Sequence, residues 1–199
     1  MQADTGLSGL SGIINVYLLQ DLFSGTNGTH LSAHTMNIGP GWTAGTHELS
    51  LLNGAATNTD AGSASEDISD SGQSTVTANG TVQLTDLAVN GGCGLIIRGS
   101  DTSNYYLAYW QKGASAQFAL YTKVAGAYTQ RASTNVTNDT NPHSMQVSGS
   151  GNTVTAYLDG GNSISYTSSF NNTATKCGVF ADYQTVSKAL VSNFNATSP

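Results

Sequence analysis

The sequence predicts an all-β protein, an antiparallel sandwich of two sheets, and three observations predict it. Short apolar runs rich in β-branched and aromatic residues recur along the chain. The gaps between them carry Gly, Asn, Asp and Ser, the residues that turns favour. No stretch sustains a 3.6-residue apolar period with helix caps. About a dozen short strands at regular turn spacing make a sandwich.

The middle of the chain shows the pattern best. Leu95–Ile97, Tyr105–Trp110 and Phe118–Val124 are three strands, split by Gly99-Ser100-Asp101 and by Lys112-Gly113-Ala114-Ser115. In order from the start, residues 1–20 read either as a flexible leader into the first strand or as an arm that docks on a neighbouring subunit. Gly6 to Gly12 is a small Gly/Ser/Leu repeat that buries little, and Ile13–Leu19 reads as a strand. Within the arm, Leu7, Leu10, Ile13, Ile14, Val16 and Tyr17 are the candidates for contact with a neighbouring subunit. The sandwich is expected over 21–199. A turn at Thr26–Thr29 and a Gly39-Pro40-Gly41-Trp42 segment lead to a strand at Glu48–Leu52. Residues 55–74 hold Asp60, Glu66, Asp67 and Asp70 without apolar alternation, and read as a solvated loop. Ser74–Ala78 and Thr81–Leu87 are two short strands, and Tyr128–Ser133 is another. Met145 and Val147 alternate with polar residues, Gly149–Asn152 turns, and Val154, Ala156 and Leu158 alternate back. Strands at Ile164–Tyr166, Gly178–Ala181 and Ala189–Phe194 close the chain.

Composition narrows the function. The 199 residues suit one domain plus an arm, and only 9% are charged. Six basic and twelve acidic residues give a net charge of -6, so no basic stripe exists for nucleic acid or for an anionic membrane. Met1-Gln2-Ala3-Asp4 has an acid where a secretory signal would carry positive charge, so no signal peptide is expected, and Ile13–Leu19 is too short to span a bilayer. Export by lysis, assembly or a dedicated route is therefore expected. Sequons at Asn27, Asn79, Asn135, Asn138, Asn171 and Asn195 are what an Asn- and Thr-rich chain produces by chance.

The order of several pieces resembles a family. "GLIIRGSDTSNYYLAYW", "FALYTKVAG", "HSMQVSGSGNTVTAYLDGG", "CGVFADY" and "ALVSNFNA" together are similar to the concanavalin A-like, laminin-G-like jelly roll. The front half, "DLFSGTNGTHLSAHT" to "GW", resembles versions found in bacteriophage structural proteins. The resemblance covers roughly residues 21–197 and implies one convex and one concave sheet. It also implies carbohydrate on the concave face or rim loops of sugar-binding members, a structural calcium in some, and paired concave-face carboxylates in the enzymes. The function expected is a non-enzymatic virion structural protein, a capsid decoration or tail appendage on the virion surface. Its partners would be other virion proteins met through the arm, in a homo-oligomer, with weak glycan binding besides. The alternative is an extracellular carbohydrate-binding module or lectin; a glycosidase is a distant third.

Each candidate chemistry has a plainer counterpart. Glycosidases need two facing carboxyls, but Glu48 and Glu66 are the only glutamates and no Glu-x-Asp-x-x-Glu strand occurs. His30, His34 and His47 read as turn histidines, because the i,i+4 pair lies outside any helix. No cofactor is expected except, at most, calcium. Asp21, Asp101 and Asp159 are its candidates, and Asn193 stands where the family often has an acid. Cys93 and Cys177 begin similar strands and could bridge if those strands are neighbours, but antiparallel neighbours would hold them at opposite ends, which favours free buried thiols. Among the aromatics, Tyr105, Leu107 and Tyr109 share one strand face, and Tyr106, Ala108 and Trp110 the other. Arg98, Asp101, Asn104, Tyr109, Gln111 and Tyr121 could together hold a sugar, or merely cover a sheet or a subunit contact.

Overall fold

A computed structural model describes residues 16–88, 90–113 and 115–198. Its strands are β1 (Tyr17–Asp21), β2 (Thr43–Ala44), β3 (Leu49–Leu52), β4 (Ala55–Asn58), β5 (Ala64–Asp70), β6 (Val76–Leu84), β7 (Gly91–Asp101) and β8 (Asn104–Lys112). They continue with β9 (Gln117–Val124), β10 (Ala127–Asn135), β11 (His143–Ser150), β12 (Thr153–Leu158), β13 (Asn162–Thr167), β14 (Lys176–Tyr183) and β15 (Ala189–Thr197). One sheet runs β13-β12-β11-β6-β15-β4-β3, with β1 added on β15; the other runs β10-β9-β8-β7-β14-β5-β2. Every pairing is antiparallel. The expected two-sheet sandwich is what forms. No helix among the described residues is long and apolar enough to cross a membrane.

Strand alternation fills the space between the sheets. Tyr106, Ala108 and Trp110 of β8 enter it with Phe118 and Leu120 of β9, Val179 and Tyr183 of β14, and Phe194 of β15, all fully buried. Cys93 lies opposite Ala181, and Cys177 near the other end of β7, so both thiols are buried and free. Burial pushes both up to about 12, which keeps them as protonated, inert core side chains.

Three parts differ from the sequence reading. The expected loop at 55–74 contains β4 and β5, and Ser65, Glu66, Asp67 and Ser69 are buried there. The two acids are each held by one oxygen: the Leu49 backbone N–H donates to Asp67 Oδ2 at 2.8 Å, tying the two sheets together, and Lys123 Nζ donates to Glu66 Oε1, whereas Ser65 Oγ and Ser69 Oγ have no hydrogen-bond partner among the described residues. The Asn79-Gly80 pair does not turn the chain, so one strand, β6, replaces two. Gly80 points inward with Leu95 beside it, in the series Val76, Ala78, Val82, Leu84. Gly149 belongs to β11, and the turn falls at Gly151-Asn152.

Of the arm, Leu7, Leu10, Ile13 and Ile14 lie outside the described residues. Val16 and Tyr17 are exposed, whereas Leu19 is buried, and β1 pairs with the end of β15. Residues 17–21 are thus part of the sheet.

Candidate functional site

The sheet that ends in β10 has a second apolar face, turned away from the core. Ile68 of β5, Ile96 of β7, Tyr105, Leu107 and Tyr109 of β8 and Phe180 of β14 make it, and each is at most 8% exposed. No third layer covers them among the described residues. The sheet curls, so that its two flanks approach each other over its middle.

Two contacts measure the curl. Lys123 Nζ of β9 sits 2.8 Å from Glu66 Oε1 of β5, four strand steps away. A flat sheet would separate those strands by about 19 Å, beyond the reach of the two side chains. Tyr128 of β10 likewise stacks edge-on against Phe180 of β14, with ring centroids 6.2 Å apart, again over four steps. The Lys123 ammonium also lies 5.1 Å from the Tyr105 ring and 5.1 Å from the Tyr128 ring. Tyr105 and Tyr128 share a hydroxyl hydrogen bond of 2.8 Å. Lys123 and Tyr128 therefore roof one end of the trough.

At the open end four rings form a closed circuit. Tyr109 meets Tyr121 at 6.0 Å and Phe180 at 5.4 Å; Tyr128 meets Tyr121 at 6.5 Å and Phe180 at 6.2 Å. All four contacts are edge-to-face, the geometry ring quadrupoles favour. The hollow they line, with Ala64, Leu107, Gln111 and Asp182, holds about 230 Å³. A Cβ at Gly92 would come within 2.5 Å of the Tyr109 ring, so a glycine there lets the ring lie on the strand.

A polar hollow of about 370 Å³ continues from it, sharing Tyr109, Gln111 and Asp182 and adding Gly62, Asn90, Gly91, Lys112 and Gln184. An apolar, aromatic trough with a few convergent polar groups, of this size, is the usual form of a small-molecule site.

The polar chemistry is uneven. The Tyr121 hydroxyl donates to Gln130 Oε1 at 2.9 Å, and Gln111 Nε2 to Gln117 Oε1 at 3.3 Å. The Asp182 side-chain carboxyl has no hydrogen-bond or ion-pair partner among the described residues, and burial raises it above the usual range. Burial lifts the Tyr109 and Tyr121 hydroxyls too, so both stay protonated. Glu66 is also raised by burial, with the Lys123 ammonium pulling it back.

The hollow on the opposite sheet, lined by Asn79, Gly80, Ser144, Met145, Gln146, Tyr157 and Gly160, is larger at about 380 Å³. Tyr157 is its only aromatic, and Gln146 Nε2 and Asn79 Nδ2 donate to Asn79 Oδ1 and Asn195 Oδ1 respectively. Its amides already satisfy one another.

Of the six residues assigned to a sugar site from sequence, Tyr109, Gln111 and Tyr121 meet in the trough. Arg98 turns into the sandwich, 1% exposed, where its Nη2 donates to the Gly151 carbonyl at 2.8 Å and Gly149 leaves it room. Asp101 and Asn104 build the β7–β8 turn, with Asn104 Nδ2 donating to Asp101 Oδ1 at 2.9 Å. The site residues missed are Ala64, Leu107, Tyr128, Phe180 and Asp182. The alternation in "CGVFADY" carries a signal for the last two: Val179 and Ala181 face the core, so Phe180 and Asp182 face outward.

The calcium candidates stay apart and are already engaged. Asp21 accepts from the Phe23 N–H and Trp42 Nε1 and contacts His34 Nε2 at 2.9 Å. Asp101 accepts from Ser103 N and Asn104, and Asp159 contacts His143 and accepts from Ser144 N. No group of three His, Cys, Asp or Glu among the described residues could hold a metal, so these residues do not fit the ion. His30 and His47 pair separately with Glu48 and Asp60.

Two antiparallel sheets, one curled into a trough, repeat a known architecture. The fold is a concanavalin A-like jelly roll. It is similar to the Bacillus subtilis carbohydrate binding module CBM66, with TM-score 0.62, 17% identity, and 79% of this chain covered against 95% of that one. It is similar to the CBM2 module of the evolved Dit protein of Lactobacillus casei BL23 phage J-1, with TM-score 0.56, 12% identity and coverage of 91% and 93%. A glycosyl hydrolase family protein from Mycobacterium fortuitum matches with TM-score 0.58, 14% identity and coverage of 91% and 99%. No protein-family model and no curated protein sequence matches the chain.

Proposed function

We propose that this chain is a non-catalytic carbohydrate-binding module that holds its glycan in the concave trough. The aromatic hollow carries the proposal: Tyr121 and the exposed Tyr128 present ring surface for sugar C–H faces beside the largely buried Tyr109, while Gln111 and Asp182 offer directional polar atoms next to them. The polar hollow next to it gives a second sugar unit room and hydroxyl partners. Likeness to modules named for carbohydrate binding supports the reading.

Catalysis would need two accessible carboxyls. Glu66 and Asp182 do share the concave face, on neighbouring strands β5 and β14. Glu66, however, is 3% exposed at its side chain and bound to Lys123, out of a substrate's reach. A single free acid supports binding and not hydrolysis.

Such a module works where polysaccharide is met, outside a cell or on a particle surface. Display on a virion is a second reading, favoured by the phage J-1 module's likeness and by the exposure of Val16 and Tyr17 where the arm meets the sandwich. Because Leu19 is buried and β1 is paired, the arm is tested by removing residues 1–15 only. Loss of particle attachment with glycan binding intact is expected; full attachment without those residues would refute an arm contact.

A glycan array probed with the whole chain and with Tyr121→Ala tests the main reading. Binding to at least one glycan class, lost in the variant, is expected. No binding across neutral, amino and acidic glycans would overturn it.

A further inference from the structure

Four aromatic rings in a closed circuit and a lone carboxylate at their mouth are more than a stacking platform. A single flat ring suffices for a sugar face. Here Tyr109, Tyr121, Tyr128 and Phe180 all line the hollow, with neighbouring centroids 5.4–6.5 Å apart. Ring faces are negative and hold a cation within about 6 Å of the centroid. Asp182, half-buried beside Tyr109, has no positive partner among the described residues. Lys123 is the nearest cation to the rings, and Glu66 neutralises it at 2.8 Å. The other hollow's Lys112 does not line the aromatic one. A net charge of -6 adds a long-range field of the same sign.

We propose that the aromatic box takes a positively charged ammonium group, and that the glycan bound in the trough is an amino sugar with its amine free. This rests on the carbohydrate reading above and narrows it. The ammonium enters the ring circuit, its charge is met by Asp182, and the neighbouring sugar units lie along the polar hollow over Gln111 and Asn90. An N-acetyl group in the same place would carry no charge and would leave Asp182 unmatched.

The test is calorimetry of the whole chain with glucosamine oligosaccharides, with N-acetylglucosamine oligosaccharides of the same length, with neutral gluco-oligosaccharides, and with choline. The free-amine oligosaccharide is expected to bind at least tenfold more tightly than its acetylated and neutral counterparts, with choline as a weak competitor. Asp182→Asn keeps the shape and removes the charge; it should lose tenfold or more towards the free-amine ligand. Tyr121→Leu keeps apolar volume and removes a ring face, and should weaken the same ligand while the unfolding midpoint moves little. Equal or tighter binding of the acetylated or neutral oligosaccharides overturns the ammonium inference and leaves the carbohydrate reading standing. Binding of choline without any sugar retains the box as an ammonium site and overturns the carbohydrate reading. Binding of none of the four overturns the inference.

Discussion

Glu66 Oε1 and Lys123 Nζ meet at 2.8 Å across four strand steps of one sheet. That pair joins β9, beside one edge of the sheet, to β5, beside the other, and sets where the trough closes. Breaking a buried pair by removing one partner leaves a charge without compensation, at a cost of about 3–5 kcal/mol. Glu66→Gln and Lys123→Met should each destabilise by that order, and the double variant by less than their sum, in urea unfolding. Additive losses would mean that the two groups act independently.

Asp67 predicts a pH dependence. Burial raises its carboxyl to about 8, while the unfolded chain releases the proton near 3.8. The folded state thus binds a proton that the unfolded state has lost between those values. Stability from this group is full below about pH 4 and falls as pH rises towards 8. Asp67→Asn keeps the acceptor for the Leu49 N–H and should flatten that slope in thermal unfolding followed from pH 4 to 8. An unchanged slope would assign it to other groups.

His143 predicts a second slope of the same sign. Its Nδ1 faces Asp159 at 2.5 Å and its Nε2 faces Asp139 at 3.1 Å. Carboxylates only accept, so both nitrogens carry protons and the ring is an imidazolium. Burial pulls its pKa down, but the bonds to Asp159 and Asp139 outweigh that and raise it above 6.5. This clamp on the β10–β11 and β12–β13 loops holds fully below pH 6.5 and is lost as pH rises through the folded value. His143→Gln should remove the loss; a His143 NMR titration at or below 6.5 would contradict the clamp.

Gly92→Ala tests the floor of the trough. The new Cβ would fall 2.4 Å from the Trp110 carbonyl oxygen and 2.5 Å from the Tyr109 ring. Tyr109 must shift and the strand must give, so a lower melting point and weaker glycan binding are expected together. A variant that binds as well as the parent would show that Tyr109 does not form the site.

Much of this was legible in the chain. Alternation in Tyr105–Trp110 divides its side chains between the core and the outer face, and both sets are buried as two apolar faces require. Tyr109, Gln111 and Tyr121 could be chosen because aromatic and amide residues follow that alternation. Glu66 and Lys123 could not. Their meeting depends on the curl of the sheet, which no spacing along one strand encodes. Arg98 misled for a related reason: its backbone sits at φ 52° beside an irregularity in β7, and the break in alternation turns the side chain inward over Gly149. β5 was hidden because it faces the core with Ser65, Asp67 and Ser69 in place of apolar residues.

The central claim is that the curled face is where a glycan binds. Backbone NMR of the labelled chain, titrated with the tightest-binding oligosaccharide from the array, tests it most directly. The account predicts shifts centred on Tyr109, Gln111, Tyr121, Phe180 and Asp182, with the Asn79, Gln146 and Tyr157 surface unchanged. Shifts centred on that opposite surface, or none at saturating sugar, would contradict it.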